Sequence, residues 1–154
     1  MSISLDLAQM LLQELGPQTP EIDAVLQEDE KSWLLVFADE QSVYVEWANN
    51  PDRLVLSTGL GRPPEGNELP VYETLLSYNL LWQDTGGVRM AIDGPQGDIM
   101  LIYDLFDDQL SLAELQTVVL NINSIAAIWR DYVRKDNAES SLPPISSETV
   151  HLRA

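Results

Sequence analysis

Apolar positions at Leu5, Ala8, Leu11, Leu12 and Leu15 fall on one broad side of a helix, which Gly16 and Pro17 are expected to stop. Met10 lies outside that stripe and Leu7 at its edge, so this helix shows more apolar surface than its own core needs. A short strand is marked around residues 22–26. The stretch KSWLLVFADEQSVYVEW then alternates in two runs rich in Val, Trp, Phe and Tyr around the polar ADEQS, a hairpin signature. Trp33, Leu35 and Phe37 share one face of the first run; Val43, Val45 and Trp47 share one face of the second, with Tyr44 and Glu46 opposite. NNPD supplies turn chemistry and RLVLSTGL a third clear strand. Leu34, Val36, Leu54 and Leu56 add apolar character to the far faces, which predicts that part of the second face is covered.

After the stiff loop GRPPEGN, Asn67 is placed to cap a helix over residues 68–82, with Pro70 in its first turn. Apolar side chains occupy most of the wheel: Leu69, Val71, Tyr72, Leu75, Leu76, Tyr78, Leu80 and Trp82. Only Glu73, Thr74 and Ser77 mark a polar strip. A helix lying over a sheet needs one apolar face, so this one predicts a second neighbour, and in so short a chain that neighbour is another copy of the protein. Gly86 and Gly87 relax the chain into a second hairpin, residues 88–93 and 98–106 around DGPQG. Ser111 and Glu114 form a capping box for a last helix whose stripe runs Leu112, Leu115, Val119, Ile122, Ala126, Trp129 and Val133 and which ends near Arg134 and Lys135. The predicted order is α-β-β-β-α-β-β-α: an α+β domain over residues 1–135, with an antiparallel twisted sheet and helices packed on one side. Residues 136–154 read as a polar, mobile tail.

Charge narrows the partners. The chain of 154 residues carries 25 acidic and 8 basic side chains, a formal net charge of -17, which disfavours nucleic acid and anionic membranes. Residues 1–30 hold Asp6, Glu14, Glu21, Asp23, Glu28, Asp29 and Glu30 and no basic residue. The absence of cysteine removes thiolate chemistry and fits a reducing compartment, and neither an export signal nor a long apolar run is evident, so the cytoplasm is the default.

Candidate chemistry is sparse. The one histidine, His151, lies in the tail, where nothing holds it in the geometry catalysis requires. Asp104, Asp107 and Asp108 cluster at a strand end but lack the glycine and terminal glutamate of a calcium loop. The glycines of STGLGRPPEGN match neither a phosphate loop nor a dinucleotide fingerprint. No cofactor or metal is implied. Apolar surface and negative charge are the materials of a protein interface.

The stretches LLSYNLLWQDTGGVRMAIDGPQGDIMLIYDL and LSLAELQTVVLNINSIAAIW, with the length, acidity and element order, resemble the class I type III secretion chaperones, the family of the Tir and Yop effector chaperones. The likeness covers residues 5–133. It implies a cytoplasmic bacterial homodimer that binds the N-terminal region of a secreted effector in an extended state and catalyses nothing. By the same resemblance, Leu7, Met10 and Leu11 on the first helix and Trp33, Leu35, Val43 and Val45 on the sheet are client-binding candidates. Val71, Leu75, Tyr78 and Trp82 are assigned to the subunit contact, with the reverse arrangement, Leu69, Leu76 and Leu80 facing the partner, left open. Two rivals also stay open: a regulator of the same fold that binds an anti-activator, and an enzyme using the Asp104 cluster. The tail departs from many relatives and is a candidate contact for a secretion ATPase.

Overall fold

The computed structural model describes residues 2–135; the tail and His151 lie outside the described residues. The elements are α1 (Leu5–Gln18), β1 (Ile22–Asp29), β2 (Ser32–Phe37), β3 (Ser42–Ala48), β4 (Arg53–Gly61), α2 (Glu68–Leu80), β5 (Arg89–Ile92), β6 (Ile99–Leu105) and α3 (Leu112–Arg134). The strands form one 6-stranded sheet in the order β1-β2-β3-β4-β6-β5, antiparallel throughout. The α+β class and the antiparallel sheet are as expected. The count before α2 is four rather than three: the short strand marked around residues 22–26 extends over residues 22–29 and joins the sheet. As an edge strand it needs little burial of its own.

Inward-facing residues of β2, β3, β4 and β6 alternate buried and half-buried along each strand, and α1 and α3 close over the buried set. Leu54 and Leu56 belong to this inner face, because they pair with Trp47 and Val45. They leave Leu34 and Val36 on the far side. Across β4, Arg130 is only 5% exposed and donates from Nε and Nη2 to the Gly59 carbonyl at 3.1 and 3.0 Å, locking α3 to the sheet. Burial, and then repulsion from Arg134, lowers the pKa of this guanidinium.

Local signals hold with two amendments. Ser4 caps α1 by accepting from the Leu7 amide, but the helix runs through Gly16 and Pro17 to Gln18. Gly16 serves close approach: a Cβ there would stand 3.1 Å from Val25 Cγ2 of β1. Ser111 caps α3 through the Glu114 amide at 3.1 Å, while Asn67 makes no capping bond to α2 and instead donates to the Lys135 carbonyl at the end of α3. Its amide satisfies one orphan group of a different helix.

An aromatic column joins α2 to α3: Tyr78 meets Trp129 edge-on at 4.6 Å, and Trp129 meets Tyr132 at 5.7 Å. The Tyr132 hydroxyl donates to Thr74 Oγ1 at 2.9 Å, but the Tyr78 hydroxyl is buried without a hydrogen-bond partner among the described residues. Burial pushes the Tyr78 phenol up to about 12, with Trp129 offsetting part of the rise. An unsatisfied hydroxyl costs about 1–3 kcal/mol. Tyr78→Phe is therefore expected to leave the melting temperature unchanged or raised; a drop of several degrees in thermal denaturation would contradict this account.

Candidate functional site

The alternation that builds the core also decides which candidates a client can touch. Trp33 pairs with Val45 and Leu35 with Val43, and all four point toward the helices with exposures of 2% or 0%. Leu11 is 3% exposed against the same core. In this chain these five are core residues, since the helices occupy the side on which they point. Of the α1 candidates, Met10 is 50% exposed and Leu7 is partly buried at the margin of the core. Trp33→Ala is accordingly expected to cost about 3–5 kcal/mol and to lower the unfolding midpoint. A variant that kept wild-type stability and lost only client binding would show that Trp33 is a contact after all.

The opposite sheet face is open. Leu26 opposes Leu34, Leu34 opposes Tyr44, Tyr44 opposes Ser57 and Ser57 opposes Ile102, so an apolar band crosses from β1 to β6. Leu26 is 50% exposed, and Leu34, Val36, Tyr44, Val55 and Ile102 are half-buried by one another. No described helix covers this band. Sequence reading saw Leu34 and Val36 as surplus apolar residues, but placing Leu54 and Leu56 with them masked the band's true extent. At its β5 end Asp104 accepts from Arg89 at 3.2 Å and lies 3.9 Å from Arg53.

The two sheet edges differ. β5 is only 4 residues long, and the Asn79 side chain of α2 imitates a neighbouring strand there: Oδ1 accepts from the Met90 amide at 2.8 Å and Nδ2 donates to the Met90 carbonyl at 2.9 Å. That edge is sealed. β1 is 8 residues long and pairs only with β2. Between its outer edge and α1 runs a cleft lined by Gln9, Gln13, Gly16, Val25 and Gln27. Unpaired strand edges are templates for added strands. At the β1–β2 turn, Asp29 accepts from the Lys31 amide and Ser32 Oγ, and the Ser32 bond, followed by the Lys31 bond, lowers its pKa.

The second helix buries three of the four residues first assigned to the subunit contact. Val71, Leu75 and Tyr78 are 1%, 4% and 1% exposed and pack inside this chain, whereas Leu69, Leu76 and Leu80 are 67%, 69% and 78% exposed. Trp82 lies beyond the helix end and is 63% exposed, so it alone of the original four is available to a partner. Beside Leu76 an apolar cleft of about 240 Å³ opens between α2 and β5, lined by Tyr72, Met90, Ile92 and Ile99 among others.

Catalysis finds no constellation here. Asp104 is committed to arginines, Asp107 accepts from the Gln109 amide in a turn, and no cluster of three metal-ligating side chains occurs among the described residues. One helix, α3, is long and apolar enough to cross a membrane by length and composition. Its stripe is nevertheless spent on the core, with Leu115, Val119, Ile122 and Ala126 at 0% exposure.

An open apolar sheet face, one free strand edge and an uncovered apolar helix define a protein-binding module. The family follows from sequence: the chain belongs to the Tir chaperone protein (CesT) family, whose profile matches residues 10–130. Membership makes it a chaperone of the type III secretion class rather than an enzyme. The fold is similar to that in the crystal structure of the ExsC–ExsE complex, with TM-score 0.68 and 20% identity over 89% of this chain and 100% of that one. It is also similar to that in the HopA1–SchA chaperone–effector complex, with TM-score 0.65 and 16% identity over 80% of this chain and 93% of that one. No curated protein matches the chain by sequence.

Proposed function

We propose that this chaperone acts in the bacterial cytoplasm as a homodimer, holding the N-terminal region of a secreted effector in an extended state that keeps it soluble and fit for export. The observation that carries the reading is the open apolar band from Leu26 to Ile102 ending at the free edge of β1. An extended client segment gains main-chain hydrogen bonds by adding a strand to β1, and alternate side chains continue the band beside Leu26. Apolar contact at about 25 cal/mol per Å² offsets the chain entropy lost on binding. Met10 and Leu7 on α1 add apolar surface for the client away from the cleft, whose α1 wall includes Gln9, Leu12, Gln13 and Gly16. Asp23, Glu28 and Asp29 lie on β1 itself and Glu21 and Glu30 flank it, which favours clients carrying Lys or Arg and makes association faster at low salt.

The subunit contact is the stripe Leu69, Leu76 and Leu80 with Trp82, since a twofold contact uses one patch twice and so covers this surface on both copies. Co-expression with candidate secreted proteins, followed by size exclusion with light scattering, tests both parts. The expected species is a dimer carrying one client, with the client lost when its N-terminal segment is deleted. A stable monomer that retains no partner would overturn the proposal.

A further inference from the structure

The apolar stripe of α2 contains a charge. At about 100° per residue, Glu73 projects about 40° from Leu69 and about 20° from Leu80 on the helix wheel, and it is exposed like them. Its backbone carbonyl accepts from Ser77 Oγ, which leaves the carboxylate uninvolved. The three ion pairs among the described residues, Arg53–Asp104, Arg62–Asp98 and Arg89–Asp104, bring it no cation. Of the charged and titratable groups on the elements packed against α2, Arg89 of β5 is held by Asp104 on the far sheet face and Tyr132 of α3 is bonded to Thr74. Asp131, Arg134 and Lys135 of α3 make no ion pair with Glu73, and the other carboxylates nearest in sequence, Glu65, Glu68 and Asp84, only add negative charge.

We infer that Glu73 limits the strength of the α2 contact. This rests on the reading of the Leu69, Leu76 and Leu80 stripe as the subunit contact. Glu73 lies near the middle of α2, which spans Glu68–Leu80. A twofold axis that buries the leucines of two copies therefore carries both Glu73 side chains inward, within about one helical turn of each other. Two carboxylates brought together between apolar surfaces lose water and repel one another. Hydrophobic contact drives association, and this pair opposes it. The opposition ends when the charge is removed, so the dimer tightens when Glu73 is replaced by glutamine. The same charge disfavours sliding or stacking of the exposed leucines into larger assemblies, where more carboxylates would be gathered.

The test compares full-length wild type, Glu73→Gln and Leu76→Glu at neutral pH by sedimentation equilibrium and by exchange between differently labelled subunits. Glu73→Gln is expected to dissociate about tenfold or more less readily than wild type. Equal dissociation of the two would overturn the inference. So would weaker association of that variant, which would mean that Glu73 pairs with a cation of the other copy. If Leu76→Glu associates like wild type, the subunit contact lies elsewhere, and the inference falls with the reading beneath it. A dimer weakened by Leu76→Glu but indifferent to Glu73→Gln sinks the inference alone.

Discussion

Leu76→Glu is expected to convert the chaperone into a folded monomer. Leu76 is 69% exposed, so the substitution removes nothing from the core of its own chain. In a twofold contact it appears twice, and each lost leucine forfeits about 1.5 kcal/mol or more of burial before the cost of desolvating the new carboxylate is counted. A loss of about 3 kcal/mol raises the dissociation constant on the order of 100-fold. Light scattering should give half the wild-type mass with an unchanged circular dichroism spectrum. The matching substitution one step around the helix, Leu75→Glu, places a charge at a position that is 4% exposed and is expected to unfold the chain. If Leu75→Glu stayed folded and Leu76→Glu lost its fold, the two faces of α2 would have been assigned the wrong way round.

Neighbouring residues on β2 give the second contrast. Leu34 faces the open band and Leu35, at 0% exposure, faces the helices. Leu34→Asp is expected to leave the melting temperature within a few degrees of wild type and to weaken client binding by about 100-fold, because it puts an unpaired charge in the middle of the surface the client must cover. Leu35→Asp is expected to prevent folding. A purified Leu34→Asp protein that still co-elutes with its effector segment would remove the band from the binding site and leave the β1 edge to carry affinity by itself. Such an edge-only mode would depend on main-chain hydrogen bonds and tolerate almost any client sequence.

The residues that sequence reading placed well are those whose signals are local. Ser111 caps the helix it precedes, and DGPQG turns one strand into the next, with the Asp93 amide bonded to the Asp98 carbonyl at 2.9 Å. The α3 stripe repeats at three and four, and its members Leu115, Val119, Ile122 and Ala126 are all fully buried. α2 was harder for a physical reason: with leucine, valine or tyrosine on most of its circumference, nothing along the chain distinguishes the side that meets β5 and Trp129 from the side that stays exposed among the described residues. Its two apolar faces were evident and their destinations were not. Asn79 and Asn67 were also missed as structural ties, since each hydrogen-bonds backbone of an element distant in sequence.

The client surface shows the same division. Alternation in β2 and β3 established which residues share a face, and Trp33, Leu35, Val43 and Val45 were correctly grouped. Alternation has no sign, however: it states that odd and even positions part company and leaves open which set the helices will cover. By itself, then, the sequence determined the α+β class, most of the elements, the Ser111 cap, the acidity that disfavours nucleic acid, and the presence of more apolar surface than one small domain can bury. Tertiary structure alone decided that Leu34 rather than Leu35 faces outward, that Leu76 rather than Leu75 is left exposed, and that β1 rather than β5 keeps an open edge among the described residues. Those three choices depend on which long-range pairings fill the core, and a one-residue step in any of them turns a core side chain into a binding surface.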